Sequence, residues 1–186
     1  MKKLLLFAAV AVLGLTSVNA QEIKFGAKAG ANFASVTGDD VDDLDGRTSL
    51  HIGAVANIGI SDKFALQPEL IYSAQGFTYS EPGFDSTGKL DYINIPVLAD
   101  VTIVEGLSVQ AGPQIGFVIT DEEDSDDETE DLGAESTDFG AVFGAQFKLP
   151  NGLFFQARYN LGFSDIIKDV DAKNSVFSLS VGYFIF

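Results

Sequence analysis

Residues 107–117 read Leu107-Ser108-Val109-Gln110-Ala111-Gly112-Pro113-Gln114-Ile115-Gly116-Phe117, apolar at every odd position and polar or glycine at every even one. Strand side chains alternate between two faces, so this stretch has one wholly apolar face and one small, polar face. A helix, with its period of about 3.6, would scatter both classes around its surface. Strong alternation without charge on the polar face is the feature that decides the fold.

Seven further stretches carry the same pattern. Apolar alternate positions run through Phe25, Ala27, Ala29, Ala31 and Phe33; then from Leu50 through Ile52, Ala54 and Ala56 to Ile60; then through Leu66, Pro68, Leu70 and Tyr72; and through Ile93, Ile95, Val97, Ala99, Val101 and Ile103. In the second half they run through Phe139, Ala141, Phe143, Ala145 and Phe147; through Phe155, Ala157, Tyr159, Leu161 and Phe163; and through Phe177, Leu179, Val181, Tyr183 and Ile185. Each stretch has the length of a tilted bilayer-spanning strand, about 9–11 residues. Their opposite faces hold mainly Gly, Ser, Asn and Gln, which suits a narrow packed interior. A solvated sheet face would carry abundant charge.

The gaps between the stretches alternate. Ser61-Asp62-Lys63, Val104-Glu105-Gly106 and Pro150-Asn151-Gly152 are tight turns, the last with an Asn-Gly hairpin signal. Residues 35–47, 78–88, 120–136 and 166–174 read as long loops. An even strand number with short turns at one end and long loops at the other predicts an all-β fold: an eight-stranded antiparallel transmembrane β-barrel of up-and-down topology. Pro68 and Pro113 on the apolar face, and Pro96 on the polar one, predict bulges or breaks in pairing. Trp is absent, so an interfacial girdle is expected from Phe25, Tyr72, Phe147, Tyr159 and Tyr183.

Residues 1–20 are read as a cleaved signal peptide: Lys2 and Lys3 open it, an apolar run follows, and Val18-Asn19-Ala20 offers a cleavage site. The barrel domain would then occupy residues 21–186. The chain contains no Cys, so it has neither disulfides nor thiol chemistry. Removing Lys2 and Lys3 from the 11 basic residues leaves 9 against 27 acidic, a formal charge of −18. Such a chain repels nucleic acid. The acids concentrate in the expected loops, at Asp39, Asp40, Asp42, Asp43 and Asp45, and again over residues 121–131. Asp39, Asp40, Asp42, Asp43, Asp45, Asp121, Glu122, Glu123 and Asp124 are weak divalent-cation candidates, through which the barrel could bridge to lipopolysaccharide phosphates; otherwise they make a solvated acidic crown.

The stretches Gly26-Ala27-Lys28-Ala29-Gly30-Ala31-Asn32-Phe33, Gln67-Pro68-Glu69-Leu70-Ile71-Tyr72 and Tyr92-Ile93-Asn94-Ile95-Pro96-Val97-Leu98 resemble the PorT-like outer membrane β-barrel family of Bacteroidota. The resemblance implies an eight-stranded barrel in the cell outer membrane. Phe186 fits the terminal aromatic used by barrel-assembly machinery, although it shares parity with Ser180 and Gly182 and not with Tyr183. It implies little about activity.

Candidate chemistry is sparse. His51 is the single histidine, on the polar face of the second strand, and no serine near it, Ser49 and Ser73 included, is singled out as a nucleophile. The chain is therefore read as no enzyme, needing no cofactor. Charges fall on the polar, lumen-facing side of several strands, and Lys28, Glu69, Asp100 and Arg158 are the ion-pair candidates among them. Eight strands enclose a space that side chains just fill, and unpaired charges there are costly. Glu69 is thus expected to pair with Arg158 or Lys28 and close the lumen. The functional expectation is a structural or surface-interaction barrel; the alternative is a gated small-solute pore, and a lipid-modifying enzyme is a weaker alternative still.

Overall fold

A computed structural model describes residues 22–38, 45–81, 84–125, 129–131, 133–167 and 170–185. The expected signal peptide at residues 1–20, the acids Asp39, Asp40, Asp42 and Asp43, and Phe186 lie outside the described residues. The described residues form nine strands and no helix: β1 (Ile23–Thr37), β2 (Asp45–Ser61), β3 (Phe64–Glu81), β4 (Phe84–Val104), β5 (Leu107–Ser125), β6 (Thr129–Asp131), β7 (Thr137–Lys148), β8 (Leu153–Gly162) and β9 (Lys173–Ile185).

Neighbouring strands pair antiparallel in the order β4-β3-β2-β1-β9-β8-β7-β5, and a β4–β5 ladder closes the ring. Eight strands make the wall. The short β6 lies beyond it, pairing only with the end of β5 from Glu122 to Asp124. Closure leaves no free edge along the body of the wall, so every spanning strand has hydrogen-bonded neighbours on both sides, as a lipid environment demands. The expected tight turns join β2 to β3, β4 to β5 and β7 to β8. Gly152 adopts φ +92° in the last of these, a conformation that favours glycine. Glu22 accepts a backbone hydrogen bond from Gly59, and Phe184 donates one to Gly152, so both ends of the described chain sit at this turn end.

The alternating faces separate as read. Phe25, Ile52, Leu70, Val109, Phe143, Phe155 and Leu179 are exposed on the outside, whereas Lys28, His51, Gln67, Glu69, Gln110, Gln146 and Arg158 are buried within. The outward apolar band on β4 runs from Ile93 to Ile103. At about 3.3 Å per residue and a tilt near 40°, it is about 25 Å tall, the height of a barrel's lipid belt. At its upper edge the Tyr72 hydroxyl donates to Asp91 Oδ2 at 2.7 Å. At the turn end Phe25, Phe147 and Tyr183 form the opposite aromatic rim.

The prolines interrupt pairing without shifting register. β3–β4 pairing stops at Pro68↔Val97 and resumes at Ile71↔Asn94; β4–β5 pairing stops at Pro96↔Gln114 and resumes at Ala99↔Ala111. The ladder irregularity on β5 lies elsewhere, at Ile119, between Asp91↔Thr120 and Tyr92↔Val118.

The long loops of the sequence reading require correction. Residues 78–81 and 84–88 are paired strand, with Thr78↔Thr87 and Glu81↔Phe84, and β5 continues along β4 to Ser125. The wall therefore rises well past the lipid belt on its β3–β4–β5 side. Above the belt its polarity inverts. The outward positions of β4 become Thr87, Lys89 and Asp91, while inward-facing Val36, Phe77, Leu90 and Tyr92 pack with Ile166 and Ala172. Strand alternation persisted there, but with water outside it reads with the opposite sense, which is why those segments looked like loops.

Candidate functional site

The interior is built from the polar alternate positions, and it is layered. At the turn end lies an open cavity of about 450 Å³, bordered by Lys24, Asn57, Ser61, Thr102 and Lys148. Its floor is a set of interlocked amides. Asn57 donates to Gln67 Oε1 at 2.9 Å, and Gln156 donates to Gln146 Oε1 at 2.5 Å. Asp100 is held in this layer by Gln110 at 2.8 Å, Gln146 at 3.0 Å and Lys148 Nζ at 3.3 Å. The partner of Asp100 is thus Lys148, which is not among the four ion-pair candidates. Its signal was present: it shares the inward parity of Gln146.

One layer further in, Glu69 accepts from Arg158 through two parallel bonds, Nη1 to Oε2 at 2.8 Å and Nη2 to Oε1 at 2.7 Å. Lys28 Nζ lies 2.7 Å from the same Oε2. β3 and β8 stand four places apart around an eight-strand ring, so these side chains bridge the full bore. Gln110 Oε1 accepts from Arg158 Nε at 3.0 Å and Nη2 at 2.6 Å, while Gln67 donates to Glu69 Oε1 at 2.7 Å. The structure therefore brings Glu69 together with both Arg158 and Lys28, and Gln110 connects that cluster to Asp100. Side-chain exposure is 0 % for Glu69 and 3 % for Lys28 and Arg158. Such charges are tolerable only because each is paired with an opposite charge and hydrogen-bonded by its neighbours.

Above this cluster sits His51, whose partners the sequence did not disclose. Gly30 pairs with His51 on β2 and with Ser180 on β9, so the three share one rung. A Cβ on Gly30 would lie 2.7 Å from His51 Cε1 and 1.9 Å from the Leu179 carbonyl oxygen. The missing side chain lets the imidazole reach across β1 to Ser180 Oγ, 2.7 Å from Nε2. Nδ1 lies 2.8 Å from Asn32 Oδ1. Asn32 Nδ2 donates to the Ala74 carbonyl at 2.8 Å and to Ser73 Oγ at 3.0 Å, which fixes the amide oxygen toward the ring. Nδ1 then carries the proton, and Ser180 donates to Nε2. That connectivity matches a serine hydrolase triad, but Ser180, His51 and Asn32 are all buried, and the adjoining void measures about 20 Å³. It has no room for an ester.

The outer end of the interior is apolar. Ile166 and Ala172, from the β8–β9 connection, pack on Val36, Phe77, Leu90 and Tyr92, with Val118, Ala134, Ile167 and Val170 around them. Bridges Ala134↔Ile167 and Ile167↔Val170 hold this cap in place. Beneath it Asn174 donates to Tyr92 Oη at 3.0 Å and Asp138 Oδ2 at 2.9 Å.

Of the acidic candidates inside the described segments, Asp45 and Glu122 are exposed, and Asp121 Oδ2 accepts the Ala134 backbone N–H at 3.1 Å. Glu123 and Asp124 lie in the β5–β6 ladder, opposite Glu130 and Thr129. Among the described residues no group of three or more His, Cys, Asp or Glu is placed to hold a metal ion.

Residues 19–168 match the outer membrane protein beta-barrel domain. The chain belongs to that family. It is accordingly a protein of the cell outer membrane. No curated protein sequence matches this outer membrane β-barrel protein. Among solved structures it is similar to neisserial surface protein A, with 16 % identity over 89 % of this chain and 99 % of that one, at a TM-score of 0.63. It is also similar to Ail, the attachment invasion locus protein of Yersinia pestis, with 18 % identity, 88 % and 99 % coverage and a TM-score of 0.59. A major outer membrane protein from Thermus thermophilus aligns at 12 % identity, 88 % and 100 % coverage and a TM-score of 0.52. At these identities the likeness shows the fold alone.

Proposed function

We propose that this outer-membrane barrel is non-conducting and non-enzymatic, a structural and surface-interaction protein whose working part is the portion standing above the lipid. The carrying observation is the lumen: the Lys28–Glu69–Arg158 cluster spans the bore, and the apolar cap of Ile166 and Ala172 covers its outer end. A solute would have to displace both. The extended β3–β4–β5 wall with its acidic sequence, by contrast, presents a large outward surface. Ail is by its name an attachment protein, and it has been seen with a heparin analogue; the strongly acidic crown of the present chain instead suits cationic or divalent-bridged partners, including lipopolysaccharide phosphates.

The three sequence stretches quoted above support placement in the PorT-like branch, and the leader supports export by a cleaved signal peptide with insertion by the barrel-assembly machinery. Planar-bilayer recording of the purified chain tests the closed-lumen reading. The expected result is a silent bilayer for the wild type, and for Glu69→Gln/Arg158→Gln unless Ile166→Asp is added. Discrete conductance steps in the wild type would overturn it in favour of a gated small-solute pore.

A further inference from the structure

Two cations share one carboxylate in the middle of the lumen. Lys28 and Arg158 both bind Glu69, while the next charged layer, Asp100 with Lys148, is balanced within itself. Asp138 lies further out, in the Asn174–Tyr92 layer, and does not line the space beside the cluster. One positive charge is therefore left without a counterion at the centre.

Beside that excess charge is the void of about 20 Å³, bordered by Lys28 and Arg158 together with Asn32, Asn94, Gln114 and Asn160. A water needs roughly 10–15 Å³ measured in this way, so the space holds one small particle and excludes any polyatomic ion of size. Its walls still have donors to give. Lys28 spends two N–H groups, on Glu69 and Gln156, and an ammonium has three. Arg158 makes four hydrogen bonds, and a guanidinium has five N–H groups. Asn94 is only 5 % exposed, opens on the void and makes no side-chain hydrogen bond with the described residues. Gln114 borders the void in the same unpartnered state. Both amides open on the void and on no protein partner among the described residues, so a particle held there would be their hydrogen-bonding partner.

We infer that this void is a binding site for a single monatomic halide, chloride in the natural setting. The ion takes the remaining protons of Lys28 and Arg158 and the amide donors of Asn94 and Gln114, and offsets the excess positive charge of the Lys28–Glu69–Arg158 cluster. The assignment goes beyond the surface role proposed above and is independent of whether the lumen conducts.

The test uses bromide as the probe. The full mature chain is refolded in sodium bromide, crystallised, and examined at the bromine absorption edge. An anomalous peak inside the void is expected, and its loss in Lys28→Met, where the charge balances without an ion. In parallel, the unfolding midpoint of the wild type in chloride or bromide should exceed that in gluconate at equal ionic strength by about 5 °C or more; Lys28→Met should lose the difference. An empty void in the wild-type anomalous map, equal midpoints in chloride and gluconate, or a bromide peak that survives Lys28→Met would each overturn the assignment. Should Lys28→Met fail to refold, the wild-type map and midpoints decide alone.

Discussion

Arg158 and Glu69 reach toward each other from wall strands on opposite sides of the barrel and meet through two parallel hydrogen bonds of 2.7 and 2.8 Å. A paired fork of this kind sets geometry as well as charge. It ties the two halves of the ring across its interior, a constraint that neighbour-to-neighbour strand pairing does not supply.

Removing one partner leaves the other charge buried. Glu69→Gln should lower the unfolding free energy by about 3–5 kcal/mol, because it strands both Arg158 and Lys28. Arg158→Gln should cost less, because Lys28 remains paired with Glu69, and the double variant less than the sum of the two. Urea titrations in phospholipid vesicles would measure the cycle; strictly additive losses would show that the pair contributes no coupling.

The lipid belt predicts a position-dependent cost for charge. Ala99 faces outward near the middle of the Ile93-to-Ile103 band of β4, so Ala99→Arg should cost roughly 2–4 kcal/mol. Thr87→Arg, on the same outward face but above the belt, should cost within about 0.5 kcal/mol of nothing. Equal costs at the two sites would contradict the assigned belt.

Gly30 is required for the His51 rung. Gly30→Ala would set a methyl 1.9 Å from the Leu179 carbonyl and 2.7 Å from the imidazole; overpacking of that kind costs typically about 1–3 kcal/mol. The nitrogen NMR shifts of His51 should show a proton on Nδ1 in the wild type and a disturbed ring in the variant. An unchanged imidazole spectrum in Gly30→Ala would rule out the rung.

The outer cap and the membrane wall rest on different contacts, so they should come apart separately. Ile166→Asp places a carboxylate among Val36, Phe77, Leu90 and Tyr92. Limited proteolysis should then cut within residues 163–172 while the spanning strands stay protected. Simultaneous loss of protection across the whole chain would show a single cooperative unit.

The wall within the lipid was legible because lipid outside and packed polar groups inside force each strand to declare its two faces; Leu107 to Phe117 does so without exception. The same logic made Glu69 and Arg158 visible as inward charges on distant strands. Lys148 shared their parity but stood at the end of its strand, where a charge reads equally well as a turn residue. The His51 partners were not legible: Asn32 and Ser180 lie 19 and 129 residues away, and only the register across β1 brings them together. Nor was the extended wall, since Leu90 and Phe77 sit among Asp, Ser and Thr, and only the ladder shows which side of the sheet meets water.

The change of sense between Asp91 and Ile93 bears on how the chain is made. Below it, a strand gains by meeting hydrocarbon; above it, the chain gains only where water lies outside and Val36, Phe77, Leu90 and Ile166 can close on one another. With the capped end on the cell surface, as the proposed function has it, those contacts are unavailable until the hairpins have been carried across the membrane. Crossing therefore ends in a step that runs downhill and resists reversal, so the capped end acts as a latch on the far side, holding the barrel at one depth and in one direction.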